Sequence, residues 1–204
     1  MPRTFPPKGF ESSEIELFTL PARSKWLRLC WSGHPDPLGF GFSPSRFSDP
    51  RLHLPESERF AVIYFGSSLK VCFLERVLRD RRNGKLGDIP IPYAELEELN
   101  CVEVETAEAL KLVDLRNDCP VRMGVPTNAV RASSHRLGQR CSLAFHDHDE
   151  RPEGILYPSR LNEEINLALY HTVLPKVTIT GVRPLLECRT ELAALIRHFK
   201  IAII

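Results

Sequence analysis

The chain has 204 residues with 27 basic and 26 acidic side chains, and the net charge of +1 argues against a protein that coats nucleic acid or a membrane surface. This length predicts a single domain over residues 1–204, and an apolar fraction of 43% is enough to form a core. No apolar run approaches the roughly 20 residues that span a bilayer, and the first residues lack the apolar segment of a secretory signal. The six cysteines are widely spaced with no CxxC pair, which favours reduced thiols in a cytoplasmic protein.

Seven short strands are predicted along the chain. Residues 14–20 and 25–31 alternate polar and apolar side chains, which is typical of half-buried strands. Residues 60–65 are nearly all apolar and β-prone, and this composition predicts a central buried strand. The further candidates are residues 110–115, 154–157, 166–170 and 177–182.

Four helices are predicted between and after these strands. Ser67 or Ser68 can cap a helix that runs to about residue 82 and ends at Asn83-Gly84. The other predicted helices are residues 93–99, residues 128–145 behind a Thr127 cap, and residues 187–199. Strands with a few helices between them predict an α+β domain, with a mixed β-sheet core and flanking helices. No GxGxxG or GxxxxGK[ST] motif is present, so neither a Rossmann site nor a P-loop is supported.

The segment 34–55 is rich in Gly, Pro and Ser and is predicted to form a long ordered loop, a place where function often lies. Arg46 lies within it. An arginine in such a loop can grip a phosphate with its planar guanidinium, although a surface arginine in a turn is the alternative.

Three further polar residues could carry chemistry. Tyr64, at the end of the strand 60–65, can stack on a flat ring or can be an ordinary core tyrosine. Glu75 lies at the margin of the apolar stripe of its helix, where it could face a cleft or pair with Arg79. Ser159 follows a β-prone run, and it could donate to a ligand amide or phosphate or serve as a turn serine.

The order and setting of these residues resemble the RES-domain family, which is named for arginine, glutamate and serine. The resemblance covers about residues 26–170. It departs from the family pattern at Ser45, where a glycine is common, and at Cys72, which replaces an alanine. The matching pieces are Arg46-Phe47, Tyr64, Glu75 and Gly154-Ile155-Leu156-Tyr157-Pro158-Ser159-Arg160.

The resemblance implies an ADP-ribosyltransferase-like fold and NAD as a consumed substrate, with no further cofactor and no metal. Members of the family are described as toxins that destroy NAD by hydrolysis or phosphorolysis, or that transfer ADP-ribose to a protein. Their partner is an Xre-like helix-turn-helix antitoxin, which implies a hetero-oligomer.

Each site residue then has an implied role in breaking the bond between nicotinamide and ribose. Arg46 would hold the phosphate, and Glu75 would stabilise the cationic sugar. Tyr64 would pack on the nicotinamide or its ribose, and Ser159 would bind the carboxamide or a phosphate. The cleft must accept an anionic dinucleotide, so we expect it to be locally basic, with contributions from Arg46 and Arg160.

Other functions remain open from the sequence. A metal-dependent hydrolase could use His146, Asp147, His148 and Asp149, although this cluster is predicted to be a solvated surface at a helix end. A Cys–His nucleophile pair or a binding module without activity are further alternatives. The acceptor of the cleaved group could be water, phosphate or a protein side chain.

Overall fold

The structure, a computed structural model, describes residues 5–81 and 83–204. Ten strands form within these residues. They are β1 (Leu17–Leu20), β2 (Lys25–Trp31), β3 (Val62–Gly66), β4 (Ile89–Ile91), β5 (Leu99–Thr106), β6 (Leu110–Asp114), β7 (Gly154–Pro158), β8 (Ile165–Tyr170), β9 (Val177–Pro184) and β10 (Ile201–Ile203).

Eight of these strands form one mixed sheet in the order β1-β6-β7-β8-β3-β2-β5-β9. The β6–β7 pair is parallel, and the other neighbours in this sheet are antiparallel. Strands β4 and β10 pair in parallel as a separate ribbon. The strand β3 lies in the interior of the sheet between β8 and β2, as its apolar composition predicts.

Six α-helices accompany the strands within the described residues. None of them has the length and apolar composition that crossing a lipid bilayer requires. The helices are α1 (Leu69–Phe73), α2 (Tyr93–Glu97), α3 (Cys119–Arg122), α4 (Asn128–Arg131), α5 (Arg136–His146) and α6 (Arg189–Phe199). The predicted α+β class, with a mixed sheet and flanking helices, is confirmed.

The predicted helix over residues 67–82 has a different form in the structure. Ser68 caps α1 by accepting from the backbone N–H of Val71 at 3.2 Å, as expected. The α-helix then continues as a π-helical turn, Leu74–Leu78, and stops at Arg79, whose φ is +21°. The π turn buries Leu74, Val77 and Leu78. Such turns are rare and occur frequently at functional sites.

The predicted helix over residues 128–145 is two helices, α4 and α5, and the single-helix prediction is therefore wrong. The chain leaves the helical conformation at Ala132, where ψ is 153°. Ser133 and Ser134 follow, and serine side chains compete with helical hydrogen bonds. The break leaves the Ala132 carbonyl available to a partner outside the helix.

All seven predicted strands are present, with β1 shorter than the predicted residues 14–20. Three strands are absent from the sequence prediction, namely β4, β5 and β10. The strand β5 carries a partial signal, because buried and less buried side chains alternate along it except at Cys101 and Val102, which are both buried. The strands β4 and β10 have only three residues each and give no periodic signal.

Across the described residues, the core consists of three clusters of buried apolar side chains. One packs α5 and Phe47 against β3, β7 and β8. A second packs α1, the π turn and α6 against β2 and β5. The third lies between strands of the main sheet. The π turn and the loop around Arg46 are therefore each packed against a core cluster, and residues of both line one cavity.

Candidate active site

A cavity of about 460 Å³ opens beside β2, β3 and the π turn. This volume lies in the range of small-molecule sites. Within the described residues, its lining contains one carboxylate, Glu75, and five arginines. The cavity is therefore strongly basic although the net charge of the chain is +1, and Arg46 and Arg160 contribute as expected. The arginines are Arg28, Arg46, Arg76, Arg79 and Arg160.

The backbone of the Arg46 loop is fixed by hydrogen bonds from both sides. The Tyr64 hydroxyl accepts from the backbone N–H of Phe47 at 2.9 Å and bonds with the Ser45 hydroxyl at 2.9 Å. Gln139 on α5 donates its side-chain amide to the Ser45 carbonyl at 2.9 Å. Ser45, which departs from the glycine common in the family pattern, thus takes part in the bonds that hold the loop.

The close approach of α5 to this loop requires a glycine. A Cβ atom on Gly138 would lie 2.6 Å from the Arg46 carbonyl oxygen, which is closer than real Cβ contacts allow. The Arg46 side chain donates to the freed Ala132 carbonyl at 2.8 Å. Burial lowers the pKa of the Arg46 guanidinium from its usual value, and Arg160 adds repulsion. An anion beside both arginines would relieve that repulsion.

Glu75 is held in place by neutral donors. Its Oε1 accepts from the Ser159 hydroxyl at 2.8 Å and, over a longer distance of 3.4 Å, from the Asn166 amide. Among the described residues, Oε2 has no hydrogen bond and the carboxylate forms no ion pair, including none with Arg79. The alternative of a surface Glu75–Arg79 pair is therefore not what the structure contains.

Ser159 lies behind Glu75 rather than at the cavity wall. It is 1% exposed, and besides donating to Glu75 its hydroxyl accepts from the backbone N–H of Leu161 at 3.1 Å. Arg46, Tyr64 and Glu75 thus line the same cavity. Ser159 is connected to it through its hydrogen bond to Glu75. The catalytic and NAD-binding roles predicted for these four residues stay predictions.

The remaining arginines of the cavity differ in how they are bound. Arg28 donates to the carbonyls of Pro37 and Gly39 and so holds the loop that follows β2. Arg160 pairs with Asp80 at 2.7 Å. Arg79 donates to His135 at 3.1 Å; burial and the nearby arginines lower the pKa of His135, which favours the neutral acceptor form.

Two features of this site were missed in the sequence prediction. Asn166 is buried in β8 and is followed there by four buried apolar or aromatic residues, and a buried amide in that setting signals a polar partner. Arg76 and Arg79 flank Glu75 in the sequence, but their place on the cavity follows from the π turn, which no residue pattern indicates.

The His146–Asp149 cluster does not form a metal site. Within residues 5–81 and 83–204, no group of three or more His, Cys, Asp or Glu side chains could hold a metal ion. His146 stacks on Phe60 with ring centroids 4.4 Å apart. His148 is 2% exposed and bonds to the Ser13 carbonyl, so the prediction of a solvated surface is wrong for this residue. The hydrogen bond from His148 to Ser13 links the N-terminal segment to the end of α5.

The six cysteines are free thiols, and all except Cys119 are buried. Burial raises the pKa of the Cys72, Cys101 and Cys141 thiols to about 12. A thiol with so high a pKa is a poor nucleophile at neutral pH. These cysteines therefore act as small apolar core residues, which weakens the alternative of a Cys–His nucleophile pair.

Comparison with known proteins gives three findings. The family model described as RES domain matches residues 16–186, a longer stretch than the predicted 26–170. A protein named probable toxin y4kH, from Sinorhizobium fredii (strain NBRC 101917 / NGR234), is 46% identical over 127 residues, which is 62% of this chain and 100% of that protein. A chain in the crystal structure of the M. tuberculosis MbcT-MbcA toxin-antitoxin complex has a similar fold, with a TM-score of 0.62 and 17% identity over 86% of this chain and 92% of that one. Because the family model spans most of its length, the chain belongs to the RES domain family.

Proposed function

We propose that this protein is a toxin that consumes NAD by cleaving the bond between nicotinamide and ribose. The observation that carries the proposal is Glu75, which forms no ion pair with any described residue and lies in a cavity whose other charged lining groups, among those residues, are five arginines. Such a cavity suits a ligand with an anionic diphosphate and a cationic reacting centre. NAD combines these two features, because its nicotinamide ring is positively charged and its two nucleosides are joined by a diphosphate.

The chemistry asks for a carboxylate near the sugar. When the glycosidic bond breaks, its electron pair stays with the nicotinamide nitrogen, and positive charge develops on the ribose. An oriented carboxylate stabilises this oxocarbenium-like state more than the ground state. The Oε2 atom of Glu75 is available for this role, because only Oε1 is hydrogen-bonded within the described residues.

The other site residues support binding and orientation. Arg46 and Arg160 bind the diphosphate from one side of the cavity, and Arg46 provides a planar fork that suits phosphate oxygens. Tyr64 presents its ring to the nicotinamide or its ribose while its hydroxyl fixes the Arg46 loop. Ser159 acts on Glu75 rather than on NAD, because its hydroxyl already has two partners.

The similarity to a probable toxin supports a toxin role, and the fold shared with a chain of a toxin–antitoxin complex suggests a neutralising partner. We propose that the partner is an Xre-like helix-turn-helix antitoxin that covers the basic cavity, forming a hetero-oligomer. The free thiols support action in the cytoplasm, where cysteines stay reduced.

The direct test is incubation of the purified protein with NAD and measurement of free nicotinamide. Mass spectrometry of the second product identifies the acceptor: ADP-ribose indicates water, its 1″-phosphate indicates phosphate, and a protein with added ADP-ribose indicates transferase activity. Wild-type protein that releases no nicotinamide under any of these acceptor conditions would contradict the proposal.

A cellular test separates NAD loss from other causes of toxicity. Induction of the wild type in a bacterium should lower NAD and stop growth, and induction of Glu75→Gln at an equal protein level should do neither. Arrested growth at a constant NAD level, or equal toxicity of the two proteins, would show that NAD destruction is not how the protein acts.

A further inference from the structure

The hydroxyl of Tyr157 has no hydrogen-bond partner among the described residues, although its side chain is buried. Tyr157 lies in β7, is 7% exposed and lines the cavity. Buried tyrosine hydroxyls are normally hydrogen-bonded. The other two tyrosines of the core region follow that rule: Tyr170 donates to the Ser142 carbonyl at 3.0 Å, and Tyr64 is bonded to the Arg46 loop.

The packing around Tyr157 fixes the direction of its ring. Tyr157 packs against Phe47 edge to face, with ring centroids 4.9 Å apart and ring planes at 73°. Glu75 and Arg46 line the same cavity as Tyr157 and act electrostatically on its hydroxyl. Within the described residues, no hydrogen bond engages this hydroxyl, so a bound ligand can take it as a partner.

Burial and the neighbouring groups also determine the protonation state of the Tyr157 hydroxyl. Burial raises the pKa of Tyr157 well above its usual value, and the nearby Glu75 carboxylate and Tyr64 act in the same direction. Tyr157 is therefore a neutral O–H group at physiological pH, able both to donate and to accept. A neutral hydroxyl leaves the Glu75 carboxylate unpaired, whereas a lysine or arginine at this position would form an ion pair with it.

We infer that Tyr157 is a substrate-contacting residue, whose hydroxyl hydrogen-bonds an oxygen of the ribose next to the bond that is cleaved. This inference rests on the proposed function, in which Arg46 holds the phosphate and Glu75 stands beside the sugar. The ribose that joins those two points must lie between them, in the cavity that Tyr157 also lines. The Tyr64 hydroxyl, by contrast, is already engaged by Ser45 and Phe47 in holding the Arg46 loop.

The test is Tyr157→Phe, which removes one oxygen atom and no hydrogen bond within the described protein. We expect kcat/KM for NAD cleavage to fall about tenfold to a hundredfold, the effect of one substrate hydrogen bond, with Tm unchanged within about 2 °C. Tyr170→Phe is the matched control. It loses the bond to Ser142, and neither of these two residues lines the cavity, so it should lower Tm and leave kcat/KM unchanged.

Substrate analogues test the assignment to the ribose. Tyr157→Phe should reduce kcat/KM by the same factor for NAD and for its thionicotinamide analogue, because the two share the ribose and differ only in the carboxamide. A loss that appears with NAD alone would move the contact to the carboxamide and overturn the ribose assignment. A variant with wild-type kcat/KM for both substrates would overturn the contact itself.

Binding measurements keep this inference separable from the proposed function. Wild-type protein that binds NAD without cleaving it would contradict NAD consumption, and the ratio of Kd values for wild type and Tyr157→Phe would still decide the contact: a weaker Kd supports it and an equal Kd overturns it. Wild-type protein that neither binds nor cleaves NAD would contradict both.

Discussion

One carboxylate precedes the central strand β3 in the chain and another follows it, and the two differ in the charge of their hydrogen-bond partners. Before the strand, Asp49 is 1% exposed and is paired with Arg51 at 2.6 Å. It also accepts from the backbone N–H groups of Arg51 and Phe60. After the strand, Glu75 accepts, within the described part of the chain, only from the neutral side chains of Ser159 and Asn166. Asn166 is the register partner of Gly66, the last residue of β3.

This contrast distinguishes a structural carboxylate from a functional one. The charge of Asp49 is neutralised within the protein, so removing it should affect folding first. The charge of Glu75 is oriented but not neutralised, an arrangement that adds little to stability and leaves an anionic oxygen for a ligand. The same residue chemistry therefore serves two purposes, and the hydrogen-bond donors decide which.

The largest expected effect is on catalysis by Glu75→Gln. This change keeps the shape of the side chain and removes its charge, so NAD cleavage should fall about a hundredfold or more. The Tm should stay close to that of the wild type, because no ion pair with a described residue is lost. Nicotinamide release and thermal unfolding measure the two quantities, and near-normal turnover would remove Glu75 from the mechanism.

The second effect is on folding, by the matched change Asp49→Asn. Loss of the buried ion pair should lower the free energy of unfolding by about 2 kcal/mol, while the kcat of the folded fraction stays near normal. Denaturant titration and steady-state kinetics provide the comparison. If Asp49→Asn instead reduced kcat at unchanged stability, the division between the two ends of β3 would be wrong.

The pH dependence sharpens the same comparison. Burial alone would raise the pKa of Asp49, but hydrogen bonds from Arg51 and Phe60 outweigh it and hold the pKa below its usual value. A carboxylate whose pKa is lower in the folded state stabilises the protein above its unfolded pKa of about 4, and this contribution is lost as the pH falls through the folded pKa. The Tm difference between wild type and Asp49→Asn should therefore be full at neutral pH and shrink below about pH 4.

A smaller effect is expected from the two arginines at these sites. Arg46→Lys keeps the charge but loses the planar fork, so the KM for NAD should rise about tenfold with little change in Tm. Arg51→Lys should instead lower Tm and leave the KM for NAD nearly unchanged, because Arg51 donates to both oxygens of Asp49 rather than to a ligand. An Arg46→Lys protein with wild-type KM would exclude a bidentate phosphate contact.

Composition and periodicity predicted the α+β class and seven of the ten strands, because burial on one or both sheet faces leaves a mark on the sequence. They could not predict the π turn or the break at Ala132. Ser133 and Ser134 favour a break without fixing its place, and the bond from Arg46 to the Ala132 carbonyl is a tertiary contact that local sequence does not encode.

The site could be predicted only as far as the residue types allowed. Arg46, Tyr64 and Glu75 do line one cavity, which their resemblance to a family pattern implied. Their partners could not be read from the chain. Asn166 contacts Glu75 over 91 residues of sequence, and the pairing depends on the register of β8 against β3.

The smallest expected effect comes from Ser159→Ala, and it decides between two roles for this residue. As a ligand of NAD, Ser159 would contribute mainly to binding, and its loss would raise KM. As the group that orients Glu75 through a 2.8 Å bond, it would act on the transition state, and its loss would lower kcat about fivefold while KM stays nearly constant. Ser159→Thr keeps a hydroxyl that can donate to Glu75, so it should recover part of the lost kcat wherever the added methyl group is accommodated. In Glu75→Gln protein the carboxylate that Ser159 orients is already gone, so adding Ser159→Ala should cause no further loss of kcat. Independent losses that multiply in the double variant would instead mean that Ser159 acts on the substrate directly.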